Sequence, residues 1–221
     1  MSNLQEERSA ETRRRILEAA VKCLAERGYT GTTIAEVAVR AGVSRGAEMH
    51  HFPKKEALVI AALEYVFEQR LEESREIAKR PTANGMDRLS YVVDLLWDVY
   101  KGPAFQAWIE LVVASRTDPA LRDAVLRISQ GFSRASIEIW QDILRPNSFE
   151  ERSLSLLDRI INGQLESIAI SRILYPHSDV DRPELVEMVE WTKKIGHFLL
   201  RHQEPITPRS DETAAGQSAD G

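Results

Sequence analysis

Residues 41–52 of this 221-residue chain, AGVSRGAEMHHF, concentrate the side chains best placed to engage a polyanion. On the short helix that this stretch encodes, Val43 and Ala47 face inward, which turns Arg45, Glu48 and Met49 outward, with His50 near the far end. Gly46 adds to that reading. A glycine inside a helix costs roughly 1 kcal/mol, so its presence on so short a helix points to the close approach of another backbone, such as a phosphodiester. The neighbouring His50 and His51 do not make a metal site. Successive helical residues point about 100° apart, and no Cys or carboxylate completes a ligand set at suitable spacing. Elsewhere no nucleophile, base and orienting group come together, and no glycine-rich phosphate loop follows a strand. The chain therefore reads as a binding protein, not an enzyme, and calls for no cofactor.

The preceding segment supplies the support. In TTIAEVAVRA, Thr33 and Glu36 stand at capping-box spacing, so the threonine can accept from the third helical amide while the glutamate reaches back. Ile34, Val37, Ala38 and Ala41 fall at i, i+3, i+4 and i+7 and give this helix one buried face. Gly42 takes the left-handed conformation that ends it, and Ser44 can cap the next helix. Helix, glycine turn and helix make a helix-turn-helix. An ordinary helical hairpin shares the same turn, so the turn alone does not separate the two. A first helix over 9–27, stopped by Gly28, carries Arg13, Arg14 and Arg15 near its start, where cations oppose the helix dipole. Solubility is one explanation for that placement, and a phosphate-facing arm is the other. Pro53 then opens a long helix to residue 79, apolar through Leu58, Ala61, Ala62, Tyr65 and Val66. Its strongly charged second half is expected in solvent, which suits a strut between two domains.

Net charge is −5, but it is unevenly placed. Residues 1–56 hold ten Lys and Arg against eight Asp and Glu, and the remainder nineteen against twenty-six, so a basic head precedes an acidic body. Hydrophobic residues make up 43%, ample for a sizeable core. No stretch approaches the roughly 18 consecutive apolar residues of a membrane span. The polar N-terminus MSNLQEERSAETRRR has no signal-peptide core, so a cytoplasmic location is expected. Cys23 is the only cysteine; it shares a stripe with Ile16, Ala20 and Leu24 and is expected in the core. The turn cluster PTANG at 81–85 is the clearest break in the chain. Beyond it the periodicity stays helical, punctuated by Gly102 and Pro103, Asp118 and Pro119, Pro146, a second capping box at Ser148 and Glu151, and Asp181. No alternating strand pattern of useful length occurs, so the fold class is all-α. Three segments are expected: a helix-turn-helix domain over 1–56, a ligand-binding and dimerisation body over 57–203, and a disordered tail over 204–221.

Residues 13–58, RRRILEAAVKCLAERGYTGTTIAEVAVRAGVSRGAEMHHFPKKEAL, resemble the tetracycline-repressor (TetR, AcrR-like) family of bacterial transcription regulators. The helix ending in a GY turn, the TTIAEVA helix, the AGVS turn and the HFPKKEAL exit match in order and spacing. WIELVVASRTDPALRDAV at 108–125 is a less diagnostic match to the family's body. The resemblance implies a three-helix DNA-binding head, a variable body that binds a small molecule, and a homodimer held by the last two long helices. It implies a repressor released from a palindromic operator by its effector. Carried over by position, Thr33, the first amides of its helix and Lys55 would contact phosphate. Ser44, Arg45 and Gly46 would form the leading edge of the recognition helix and His50 and His51 its trailing edge, with Arg45 suited to the O6 and N7 edge of guanine. The chain departs from the family pattern at Glu48 and Met49, where relatives carry an apolar residue followed by a tyrosine. Glu48 either accepts from a cytosine N4 amine or pairs with a neighbouring arginine. A helical small-molecule carrier with a degenerate DNA-binding head is the alternative that these two residues keep open.

Trp97, Tyr100, Phe105, Trp108, Phe132 and Trp140 fall within 44 positions on three successive helices. Aromatics at helical spacing can simply be core. Polar groups at Glu110, Arg116, Asn162, Gln164 and Ser167 also allow an apolar cavity with few polar contacts. The ligand-binding set is then Trp97, Tyr100, Phe105, Trp108, Arg116, Phe132 and Gln164, and the effector is mostly hydrophobic. The two C-terminal helices carry apolar residues on more than one face, among them Leu156, Trp191 and Phe198. That surplus suits a symmetric interface whose two-fold axis presents paired recognition helices to a palindrome.

Overall fold

In the computed structural model, residues 2–79, 87–144, 149–174 and 182–202 are described, and they form nine helices and no strand. The head comprises α1 (Ser2–Gly31), α2 (Ile34–Ala41) and α3 (Arg45–His51). Helix α1 outruns the expected 9–27 at both ends. Gly28 interrupts it for one residue, with φ 69° and ψ 175°, and the helix resumes. A positive φ is open to glycine without a Cβ penalty, and here a carboxylate stabilises the kink: the Tyr29 N–H donates to Glu110 Oε2 at 3.2 Å.

Helix α2 starts where the spacing predicts. Thr33 is extended, and its Oγ1 accepts the Glu36 amide at 3.3 Å. The other arm of the capping box stays open, because the Glu36 carboxylate accepts from the Thr33 hydroxyl and pairs with Arg27. Gly42, at φ 63° and ψ 38°, ends the helix in the left-handed region. Arg15 reaches across from α1 to donate to the Ala41 and Gly42 carbonyls at 2.5 and 3.1 Å, which satisfies acceptors that a helix end leaves free.

Six helices build the body: α4 (Lys55–Lys79), α5 (Arg88–Tyr100), α6 (Pro103–Ala114), α7 (Pro119–Ile143), α8 (Glu151–Leu174) and α9 (Pro183–Arg201). Asp87 and Asp118 cap α5 and α7 by accepting backbone amides. Pro103, Pro119 and Pro183 stand at the first helical positions, where a missing N–H goes unneeded. The PTANG turn at 81–85, Pro146, Ser148, Asp181 and the tail over 204–221 lie outside the described residues.

Two apolar cores result. The first joins Ile16, Leu17, Cys23 and Leu24 of α1 to Val37, Phe52, Leu58 and Leu63, and runs on into Leu111 of α6 and Leu121 of α7. The second joins Leu89, Val93 and Trp97 to Trp140, Leu157, Ile161, Leu165 and Val189. Trp108 packs against both. A line drawn between residues 56 and 57 therefore crosses continuous packing, since α4 and α6 both lie on α1.

Candidate nucleic-acid interface and ligand cavity

The head presents α3 on a scaffold in which several polar groups are engaged internally. Ser44 Oγ accepts the Ala47 amide at 3.2 Å and starts α3. Among the described residues a Cβ on Gly46 would meet only Ser44 Oγ, at 4.0 Å, so none of them requires a glycine there. His50 is exposed. His51 is half-buried beside Phe52, and burial pushes its imidazole below the ordinary range, with His50 and Arg13 acting in the same direction. The side chains of Arg45, Glu48 and Met49 lie outside the described set; their backbone belongs to α3.

Several cations expected at a phosphate face have other partners. Arg13 lies over the Phe52 ring at 5.6 Å, Arg14 pairs with Glu11 and Glu18 at 2.6 Å each, and Arg15 caps α2. Arg13 and Arg15 thus tie α1 to the rest of the head, whereas Arg14 pairs within α1. Lys55 Nζ sits 4.3 Å from the Tyr29 ring centroid and 3.4 Å from the Thr30 carbonyl oxygen, and burial pushes its ammonium pKa down. Lys54, one residue earlier, is exposed and has no side-chain partner among the described residues. The sequence reading passed over this cation, although the Lys pair after Pro53 was its signal.

A cavity of 710 Å³ opens in the body between α4, α5, α6, α7 and α8. Tyr100, Phe105, Trp108 and Phe132 line it, as do Phe67 and Leu71 from the half of α4 that its charge pattern had assigned to solvent. Phe67 meets Trp108 and Phe132 at ring-centroid distances of 5.3 and 5.2 Å. Three expected residues lie elsewhere. Trp97 is buried in the second core, Arg116 is exposed beyond the end of α6, and Gln164 is exposed on α8. Gln164 follows Asn162 by two residues, about 200° around the helix, so the cavity receives Asn162 and Glu166 in its place. Glu110 also leaves the cavity, having turned to the Tyr29 amide of the head.

At the cavity's inner wall, Asp158 Oδ1 accepts from Ser136 Oγ at 2.5 Å, Trp140 Nε1 at 3.2 Å and Asn162 Nδ2 at 2.8 Å. Burial pushes the Asp158 carboxyl up, and these three donors pull it only part of the way back. Tyr100 donates to Asn162 Oδ1 at 2.9 Å, and its phenol is held well above the usual range by burial and by the Glu166 and Asp158 charges. Sequence reasoning missed Ser136 and Asp158. Their signal was polarity at positions of the apolar stripe: Asp158 falls four residues after Leu154 and three before Ile161. Among the described residues no three His, Cys, Asp or Glu side chains could hold a metal ion, and no helix is long and apolar enough to cross a membrane.

Known proteins resemble this chain in sequence and in fold. Residues 16–62 match the family model described as bacterial regulatory proteins, tetR family. The HTH-type transcriptional regulator CymR of Pseudomonas putida is 36% identical over 141 residues, which span 63% of this chain and 68% of the relative. The HTH-type transcriptional repressor AcnR of Corynebacterium glutamicum is 27% identical over 206 residues, 87% of this chain and 97% of the relative. The fold resembles the crystal structure of the transcriptional regulator FadR from Bacillus subtilis in complex with stearoyl-CoA. Their TM-score is 0.60 at 20% identity, covering 84% of this chain and 96% of that one. An all-helical chain with this head, and with a relative this similar over two thirds of its length, belongs to the TetR family of DNA-binding transcription regulators, which are not enzymes.

Proposed function

We propose that the chain is a ligand-responsive repressor that binds a palindromic operator as a homodimer and leaves it when a small, mostly hydrophobic effector enters the body. The observation that carries this reading is the 710 Å³ cavity walled in part by α4 and α6, the two body helices that also pack on α1 of the head. A guest that shifts either helix acts on the head as well. Residues 1–56 then serve DNA and 57–203 serve the effector and the partner subunit. In this reading Ser44, Arg45 and Gly46 lead α3 into the major groove, His50 and His51 trail it, and the region of Thr33, Lys54 and Lys55 faces phosphate. Glu48 and Met49 set the operator preference that distinguishes this chain from its relatives. Trp191 and Phe198 of α9, 54% and 59% exposed in the single chain, together with Ile173 and Leu174 of α8, supply apolar surface for a two-fold interface. A relative named as a repressor, and a neighbour of the same fold solved with an acyl ligand, agree with the reading.

Fluorescence anisotropy on DNA from upstream of the chain's own gene, repeated across salt concentrations, tests it. Affinity should fall steeply with salt, because cations on the head displace counterions from phosphate. The internal pairing of Arg13, Arg14, Arg15 and Lys55 favours a second reading, a helical carrier whose head no longer binds DNA. Affinity insensitive to salt, or no binding below about 100 mM salt, would select the carrier.

A further inference from the structure

The polar cluster on the cavity wall has used up its hydrogen-bond donors. Tyr100 gives its O–H to Asn162. The Asn162 amide group donates to the Asp158 carbonyl and to Asp158 Oδ1, each at 2.8 Å. Ser136 and Trp140 give theirs to the same Oδ1. What remains is acceptor capacity. Asp158 is only 5% exposed, and its second oxygen, Oδ2, takes no hydrogen bond among the described residues. Glu166, one turn of α8 beyond Asn162, lines the same cavity with no hydrogen bond or ion pair among the described residues. Burial pushes its carboxyl up, with no neighbouring cation pulling it back.

The arginines that line the cavity do not offset these acids. Arg70, Arg134 and Arg159 are half-exposed or exposed, so they stand at the open side. Arg70 pairs with Glu73, Arg134 donates to the Gln130 carbonyl, and Arg159 exerts the weakest of the pulls on Asp158. A carboxylate or other acceptor-only head group placed against this wall would face acceptors and lose its own hydration without return. A cation gains on both counts, since it enters the field of two carboxylates and meets the faces of Phe67, Trp108 and Phe132.

We propose that the effector is a hydrophobic organic cation, a protonated amine on an aromatic or aliphatic body, with its ammonium at Glu166 and in the field of Asp158 two turns back on α8, and its body against Phe67, Trp108 and Phe132. This rests on the ligand-cavity reading above, and the test separates the two. The full chain is titrated calorimetrically with three probes that share one body and differ in head group: phenylbutylamine, phenylbutanol and phenylbutyrate. The amine should bind at least about tenfold more tightly than the alcohol, and the carboxylate more weakly than either. Glu166→Gln breaks no hydrogen bond or ion pair among the described residues, and its melting temperature checks that the fold is kept. It should remove most of the amine's advantage while leaving the alcohol within about twofold. Asp158→Asn, which keeps the shape of the buried group, should act in the same direction. If the alcohol or the carboxylate binds as tightly as the amine, or if Glu166→Gln leaves the preference intact, the cation assignment falls and the cavity reading stands. If none of the three binds, the cavity reading falls and takes the assignment with it.

Discussion

Head and cavity treat their polar side chains in opposite ways. In the head, Thr33 and Ser44 close on amides, Arg15 on the carbonyls at the end of α2, Lys55 on Tyr29 and Thr30, and Arg40 on Glu26. In the cavity, Asp158 and Glu166 keep acceptor capacity that no described residue fills. Under the proposed function, a surface that offers the same face to every operator is well served by groups tied to one another, and a wall that registers a guest by groups left in want of a partner.

The strongest challenge to this contrast lies in the core that the two regions share. Leu111→Ala in α6 empties space beside α1 and should cost about 2–5 kcal/mol, read as a lower urea midpoint. Head and body should still unfold in one transition, and two resolved transitions would show that they are independent units. Next comes the asymmetry between the two acids. Asp158→Leu strands the Ser136, Trp140 and Asn162 donors and should cost about 1–3 kcal/mol, whereas Glu166→Gln should stay within about 0.5 kcal/mol of the parent. Equal losses would erase the distinction between a structural acid and one held in reserve.

The adjacent lysines sharpen the comparison from the head's side. Lys55→Ala removes a cation–π contact and a carbonyl bond and should lower stability by about 0.5–1 kcal/mol. Lys54→Ala should leave the melting temperature unchanged and reduce the salt slope of DNA binding by about one. The smallest effect is a pH dependence at the start of α5. Burial raises the Asp87 carboxyl, but hydrogen bonds from the Ser90 hydroxyl and amide, and then His197, bring it below the usual range. A depressed carboxyl contributes stability above its unfolded pKa, near 3.9, and loses it as pH falls through the folded value. Asp87→Asn should therefore lower stability slightly at neutral pH and flatten the acid limb, the two curves converging as pH falls below about 4.

Local grammar made much of the fold legible. Thr33, Gly42, Ser44, Asp118, Pro103 and Pro119 each act within a few residues of where they stand, and each does in space what its type and spacing imply. What a local window did not show were partners far away in the chain. Arg15 finds Ala41, Lys55 finds Tyr29, and Tyr29 finds Glu110, 81 positions on, and nothing in a local window announces these meetings. Gln164 is a different case. Helical phase alone placed Asn162 and Glu166 on one face and Gln164 on another, so the error lay in weighing residue type above angle. Counting aromatics found Tyr100, Phe105, Trp108 and Phe132 for the cavity but had no means to set Trp97 apart, because core and cavity wall draw on the same side chains.

The Gly28 kink bears on how news of a guest could leave the body. Trp108 faces the cavity and Glu110, two residues further along α6, grips the Tyr29 amide at 3.2 Å. The two side chains leave the helix about 200° apart, so under the proposed function α6 would work as a rocker, with the guest at one end and the head at the other. A turn of about 10° around its axis displaces a side-chain tip ~5 Å out by ~1 Å. That is enough to stretch this bond past the limit at which it still counts as one. A Cβ at position 28 would lie 2.7 Å from Glu110 Oε2. The notch that glycine leaves is therefore also the seat in which the rocker rests.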